Sequence, residues 1–306
     1  MNSGILLVDK PQGITSHDVV SRMRRLAGTR KIGHAGTLDP MATGLLVLGV
    51  NGATRLLHYL VGLDKEYLAT VRIGWATTTD DAEGDALAAA PSDVVAAVTE
   101  PAILAAMAPL TGEIEQVPSA VSAVKVAGKR AYQRVRDGET VELAARRVTV
   151  SAFELLALRP GDGWLDLDVR VDCSSGTYVR ALARDLGIAL GTGGHLTALR
   201  RTRIGRFDVA EASALEGFDV AASLISPADA ARRAMPVIDV TAQEAVDLGH
   251  GKRVDARETP EPAASVARAD AAIAAIAPDD RLVAIVERRG AQLKVIAGFA
   301  SDEADA

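Results

Sequence analysis

The chain opens on four consecutive apolar residues, Ile5-Leu6-Leu7-Val8, which predict a strand, followed by a turn marked by Pro11 and Gly13. Val19 to Leu26 reads as a helix with a basic face, with Thr15 or Ser16 as its cap. Leu45 to Val50 is a short apolar run, either a helix end or a strand. Alternation of Tyr67, Ala69, Val71 and Ile73 predicts a strand over 65–74. An Ala-rich segment after Pro91-Ser92 predicts a helix over 91–110. Val148–Leu156 and Leu165–Val171 predict paired strands, and 176–186 a turn leading into a helix. Residues 193–206 form a Gly-started basic loop or strand. Residues 256–280 are rich in Ala, Pro and charge and predict a flexible insertion. Arg281–Glu287 and Leu293–Phe299 predict a terminal strand pair, followed by an acidic tail, 301–306.

The chain has 306 residues, enough for a large domain and a smaller one, and 48% are hydrophobic. It has no apolar run of 18 residues, which predicts no membrane span. The single cysteine, Cys173, has no internal disulfide partner, reads as small and buried, and points to the cytoplasm. Net charge is −6, but it is unevenly spread. Residues 1–60 carry 7 Lys+Arg against 3 Asp+Glu, and residues 120–206 carry 15 against 9, whereas 61–119 and 207–306 are acidic. Two basic segments on one face bind a polyanion whatever the total; the alternative is an ordinary solvated charge pattern. The acidic loop 77–85 fails as a calcium loop, with Thr79 in the first ligand place and Ala90 in the twelfth, so no metal is expected.

The densest chemistry lies in 33–48, GHAGTLDPMATGLLVL. Gly33 and Gly36 permit tight turns. Asp39-Pro40 reads as a helix start, with Asp as cap and Pro at the first helical position. The other reading of Asp39 is a nucleophilic carboxylate with His34 five residues before it.

The stretch GHAGTLDPMATGLLVLGVNGATRL resembles the catalytic motif of the TruB family of tRNA pseudouridine synthases. Further segments match in order: 4–16, Lys65-Glu66-Tyr67, 117–125, Cys173–Arg180 and 199–205. The resemblance covers residues 4 to about 235. It implies an α/β fold of α+β type, with a large mixed, mainly antiparallel sheet flanked by helices. The catalytic domain would span 1–235, with a thumb-like RNA-gripping insertion at 119–147. A small β-rich PUA-like module would span 236–306. At Pro118-Ser119-Ala120-Val121 the chain departs from the family's frequent Pro-Pro-aromatic pattern.

The resemblance also implies roles. Asp39 would be the essential carboxylate, attacking the sugar or the base or assisting loss of a C2′ proton. Arg180 would pair with Asp39 and hold it ionised, rather than being a surface residue at a helix start. Tyr67 would stack on the flipped uracil, or simply fill core. His34 would occupy the space the base leaves or stack on it, rather than being an exposed loop residue. Lys10 would support the loop by hydrogen bonds, or sit solvated. Leu199 would wall the pocket, and Gly36 and Thr37 would lie against substrate. Lys125, Lys129, Arg130, Arg134, Arg146, Arg147, Arg200, Arg201 and Arg203 would grip RNA as a group.

The expected activity is isomerisation of the T-loop uridine at tRNA position 55 after base flipping. It needs no cofactor, guide RNA, membrane or obligate protein partner, and the enzyme is expected as a monomer binding the tRNA T-stem-loop. Two other functions remain compatible: a guide-RNA-dependent synthase, and a tRNA-folding chaperone, which is also a possible second activity. A soluble α/β protein with chance motifs is disfavoured by the ordered matches.

Overall fold

A computed structural model describes residues 2–119, 125–126, 129–130, 143–257 and 272–299. Its packing divides the chain into two compact units, residues 1–64 with 202–306, and residues 65–201.

The first unit begins with strand β1 (Gly4–Lys10), helix α1 (Ser16–Leu26), and strands β2 (Ile32–His34) and β3 (Thr43–Val50), followed by the short helix α2 (Leu57–Val61). Thr15 caps α1 in a reciprocal box with Asp18, satisfying donors that the first turn leaves open. β1 and β3 pair antiparallel from Gly4 opposite Val50 to Lys10 opposite Gly44. Both strands are covered on both faces. Leu6, Val8, Leu46 and Leu48 pack with Val19, Val20 and Met23 of α1. Ile5, Leu7, Leu45 and Val47 share a second core with Leu56, Leu60 and Phe207. This two-sided burial explains continuous apolar runs where a half-buried strand would alternate.

The second unit holds β4 (Lys65–Ile73), α3 (Ser92–Ala96), α4 (Glu100–Met107), β5 (Gly112–Gln116), the hairpin β6 (Lys125–Val126) and β7 (Lys129–Arg130), β8 (Arg146–Pro160), β9 (Leu165–Cys173), α5 (Val179–Ala189) and β10 (Gly194–Ile204), whose last residues enter the first unit. Strand order is β10-β4-β9-β8-β5. β4 and β9 are antiparallel, Lys65 opposite Cys173 through Ile73 opposite Leu165, and both alternate buried with half-buried or exposed positions.

The chain then returns to the first unit with β11 (Phe207–Asp208), β12 (Ser213–Ala214) parallel to β1, and α6 (Pro227–Ala234). Next come β13 (Val237–Asp239), α7 (Ala242–Gly249), β14 (Val254–Asp255), β15 (Ala272–Ile276), β16 (Leu282–Arg289) and β17 (Gln292–Gly298). These last five strands form a sheet ordered β13-β15-β16-β17-β14. Ile238, Leu248, Ile273, Val283 and Leu293 are among its core residues. The fold class is therefore mixed α/β, with mainly antiparallel strands flanked by helices, as the resemblance implied.

Three expectations are corrected. Asp39-Pro40 starts no helix. Ala42 N–H donates to the Asp39 carbonyl at 3.1 Å in a turn, and strand β3 follows. The helix expected over 91–110 is two helices and a 3-10 turn, with Pro101 in the first turn of the second helix. Within the insertion expected at 256–280, Ala272–Ile276 is a fully buried strand; residues 258–271 and the acidic tail lie outside the described residues.

Candidate active site

The Asp39 loop belongs to the first unit and is held mainly through its backbone. Lys10, at the end of β1, is fully buried. Its ammonium donates to the carbonyls of Pro11 at 2.9 Å, Ile14 at 2.7 Å and Pro40 at 3.3 Å. A buried ammonium requires such acceptors, and here they draw two loops together. Gly13 N–H donates to the same Pro40 carbonyl at 2.8 Å. Just before Asp39, the buried Ser16 hydroxyl accepts from Leu38 N–H at 2.8 Å and donates to the Leu38 carbonyl at 3.1 Å. The residues on either side of Asp39 are thus fixed, and Asp39 itself is half-buried.

His34 ends β2 opposite Leu48 and is half-buried, so the exposed-loop reading fails. Gly36, at φ +94°, makes the turn that a side chain would strain. Thr37 is exposed beside it. Lys10 is buried rather than solvated, and its hydrogen bonds link the backbones of two loops.

The second unit holds Tyr67, Arg180 and Leu199. Tyr67 lies on β4 opposite Val171 and is buried, as is Leu199 on β10. Arg180 is the second residue of α5 and is buried, which overturns the surface reading. Its guanidinium lies 3.3 Å from the Asp81 carboxylate, with side-chain exposures of 6% and 4%, and donates to the Thr79 carbonyl at 3.0 Å. Asp81 is itself oriented by the Thr79 hydroxyl at 2.5 Å and by Glu83 N–H at 3.0 Å. The acidic loop 77–85 is therefore the brace of Arg180. Arg184, one turn on, meets Asp80 at 3.3 Å and donates to the Val117 carbonyl at 2.8 Å.

The sequence reading missed Asp81 and also Gln116. The buried Gln116 amide donates to the Tyr178 carbonyl at 3.1 Å and accepts from Tyr178 N–H at 2.8 Å. It thereby joins the end of β5 to the start of the helix carrying Arg180. The available signal was chemical: a buried arginine needs a carboxylate, and 77–85 is the acid-rich loop in that stretch.

His195 is buried with Nδ1 2.9 Å from the Trp75 carbonyl. Burial lowers its pKa below the ordinary value, which favours the neutral imidazole. Cys173 is buried, as the sequence suggested.

The basic set is divided. Arg146 is exposed, and the Arg147 side chain, 90% exposed, lies 3.9 Å from Glu115. Arg200 is half-buried. Arg203, also half-buried, donates to the Gly205 carbonyl at 3.0 Å. Arg201 differs from the rest of the set: at 1% exposure it is buried rather than part of a solvated basic face. Lys125, Lys129 and Arg130 lie in the β6–β7 hairpin, and Arg134 lies outside the described residues. Among the described residues no group of His, Cys, Asp or Glu is placed to hold a metal, and no helix is long and apolar enough to cross a membrane.

Comparison with known proteins converges on one family. The chain matches the TruB family pseudouridylate synthase N-terminal domain over residues 24–179. It matches the tRNA pseudouridylate synthase B C-terminal domain over 180–235, and the tRNA pseudouridine synthase II C-terminal model over 235–300. It is 57% identical to tRNA pseudouridine synthase B of Leifsonia xyli subsp. xyli (strain CTCB07), covering 99% of this chain and 98% of that one. It is 50% identical to the protein of the same name from Thermobifida fusca (strain YX), covering 98% and 99%. Among solved structures it resembles a chain of a Cbf5-Nop10-Gar1 complex, with TM-score 0.73 and 26% identity over 98% of this chain and 86% of that one. A chain of an H/ACA RNP bound to a substrate RNA containing 2′-deoxyuridine gives TM-score 0.70 at 25% identity, covering 97% and 85%. The chain belongs to the TruB family of pseudouridine synthases, and its curated relatives are tRNA pseudouridine synthases B.

Proposed function

We propose that this enzyme isomerises the T-loop uridine at position 55 of tRNA, with Asp39 as the catalytic carboxylate and without a guide RNA. The observation that carries the reading is the pinned Asp39 loop, with Leu38 tied to Ser16 and Pro40 to Lys10 and Gly13. A loop fixed through backbone groups presents its carboxylate to substrate with little reorganisation.

The reaction breaks the N1–C1′ bond, turns the uracil and joins C5 to C1′; the C5 hydrogen leaves as a proton and N1 gains one. In this reading Asp39 is the nucleophile. Arg180, oriented by Asp81, supplies a fixed positive charge to the reaction. Tyr67 stacks on the uracil, Leu199 walls the pocket, and His34, Gly36 and Thr37 lie against the RNA. Base flipping draws on backbone contacts from Lys125, Lys129, Arg130, Arg134, Arg146, Arg147, Arg200 and Arg203.

Residues 1–235 would form the catalytic domain and 236–306 the RNA-binding module of a monomeric, cytoplasmic enzyme. Relatives 57% identical over nearly full length are named tRNA pseudouridine synthase B, whereas the likenesses to chains of an H/ACA RNP and a Cbf5-Nop10-Gar1 complex stand at 25–26% identity. That difference supports independence from a guide. Chemical mapping of pseudouridine in a tRNA transcript incubated with the protein alone tests the assignment. A single modified position, 55, is expected; modification elsewhere, or only with added guide RNA, overturns it.

A further inference from the structure

The turn between α1 and β2 gathers arginines that pair with no carboxylate among the described residues. Residues 19–38 contain Arg22, Arg24, Arg25, Arg30 and Lys31 and no Asp or Glu. Among the described residues, no carboxylate lies within ion-pairing distance of Arg22, Arg24, Arg25 or Arg30. Many arginines elsewhere differ, though Arg146, Arg206 and Arg253 likewise pair with no carboxylate among the described residues. Arg72, Arg159, Arg170, Arg184, Arg232 and Arg233 each have a carboxylate partner.

The turn is rigid. Gly28, at φ +62°, ends the helix in the left-handed conformation, and Thr29 N–H returns to the Arg24 carbonyl at 3.2 Å. Arg24 donates from Nη2 to the Ile32 carbonyl at 3.0 Å, while its Nε is buried with no hydrogen-bond partner. Arg24, Arg25, Gly28, Thr29 and Arg30 line an open surface depression of about 570 Å³. Arg22, Arg25 and Arg30 are exposed.

Cations in the last turn of a helix also offset its dipole, but Arg30 and Lys31 lie beyond the helix, where that effect has faded. Arg30 lies four positions before His34 in the same unit, a span of about 13 Å in extended chain.

We propose that this turn is a binding site for the phosphodiester backbone of the RNA substrate, beside the nucleotide that enters the Asp39 loop. The assignment rests on the RNA-modifying reading above. Guanidinium groups suit it, because each presents a fork of donors to phosphate oxygens.

The test is the salt dependence of binding to an unmodified tRNA transcript, for wild type and the double variant Arg25→Ala/Arg30→Ala. The control is Arg159→Ala, which removes one guanidinium that is already paired with Asp168. Thermal melts verify that each variant is folded. Loss of two phosphate contacts lowers the slope of log K against log salt by about 1.4 to 1.8. The expected result is that loss in the double variant, with the wild-type slope in Arg159→Ala. An unchanged slope in the double variant, or an equal change in the control, overturns the site. Pseudouridine formation by wild type on the same transcript reports separately on the RNA-modifying reading.

Discussion

The Asp39 loop and the Arg180 brace solve the same problem in opposite ways. Around Asp39 the backbone is held, by Lys10 and Ser16 on carbonyl and amide groups of neighbouring residues. Around Arg180 the side chain itself is held, by the Asp81 carboxylate and the Thr79 carbonyl. The difference suits the proposed roles. A carboxylate that reacts is best positioned through its chain, whereas a cation that supplies a field is best fixed by its own charged head.

The comparison breaks most severely at Asp81. Asp81→Ala leaves a buried guanidinium without its carboxylate and should cost about 3 to 5 kcal/mol in thermal or denaturant unfolding. A loss below about 1 kcal/mol would mean that Arg180 finds other partners. Next is Lys10→Met, which removes the ammonium from three carbonyls at similar side-chain volume. A loss of about 3 kcal/mol is expected, together with reduced turnover, because the Pro40 side of the loop is released. Wild-type turnover in a folded Lys10→Met protein would show that the loop is held without it. Ser16→Ala should cost about 1 to 2 kcal/mol, since Leu38 loses both partners of one hydroxyl. An unchanged melt would remove Ser16 from the account.

The smallest effect concerns pH. Burial holds the folded His195 pKa below its ordinary value of 6.5, so the unfolded chain binds that proton more readily. Its contribution is fully present above about pH 6.5 and declines as pH falls toward the lowered folded value. His195→Gln should flatten the melting-temperature profile in that window; an identical slope would assign the pH dependence to other groups.

Local order was legible where local forces decide. The Thr15–Asp18 box and the apolar run of β1 are such cases. Asp39-Pro40 misled because pairing of β3 with β1 and the ties to Pro40 outweigh the helix-start preference. Ala272–Ile276 misled because an Ala-rich strand has little intrinsic signature and is made a strand by burial between β13 and β16. Of the candidate site, the chemical residues were legible through an ungapped motif. Their supports were not, because Asp81 and Arg180 are far apart in sequence and no periodicity links them. The burial of Arg201 was equally hidden, since arginine usually signals surface.

The central claim is that a backbone-pinned Asp39 carries the isomerisation. It is tested most directly by tritium release from C5-labelled uridine in an unmodified tRNA transcript, for wild type and Asp39→Asn at matched tRNA binding. The account predicts release by wild type and none by the folded, tRNA-binding variant. Release by Asp39→Asn at the wild-type rate would contradict it.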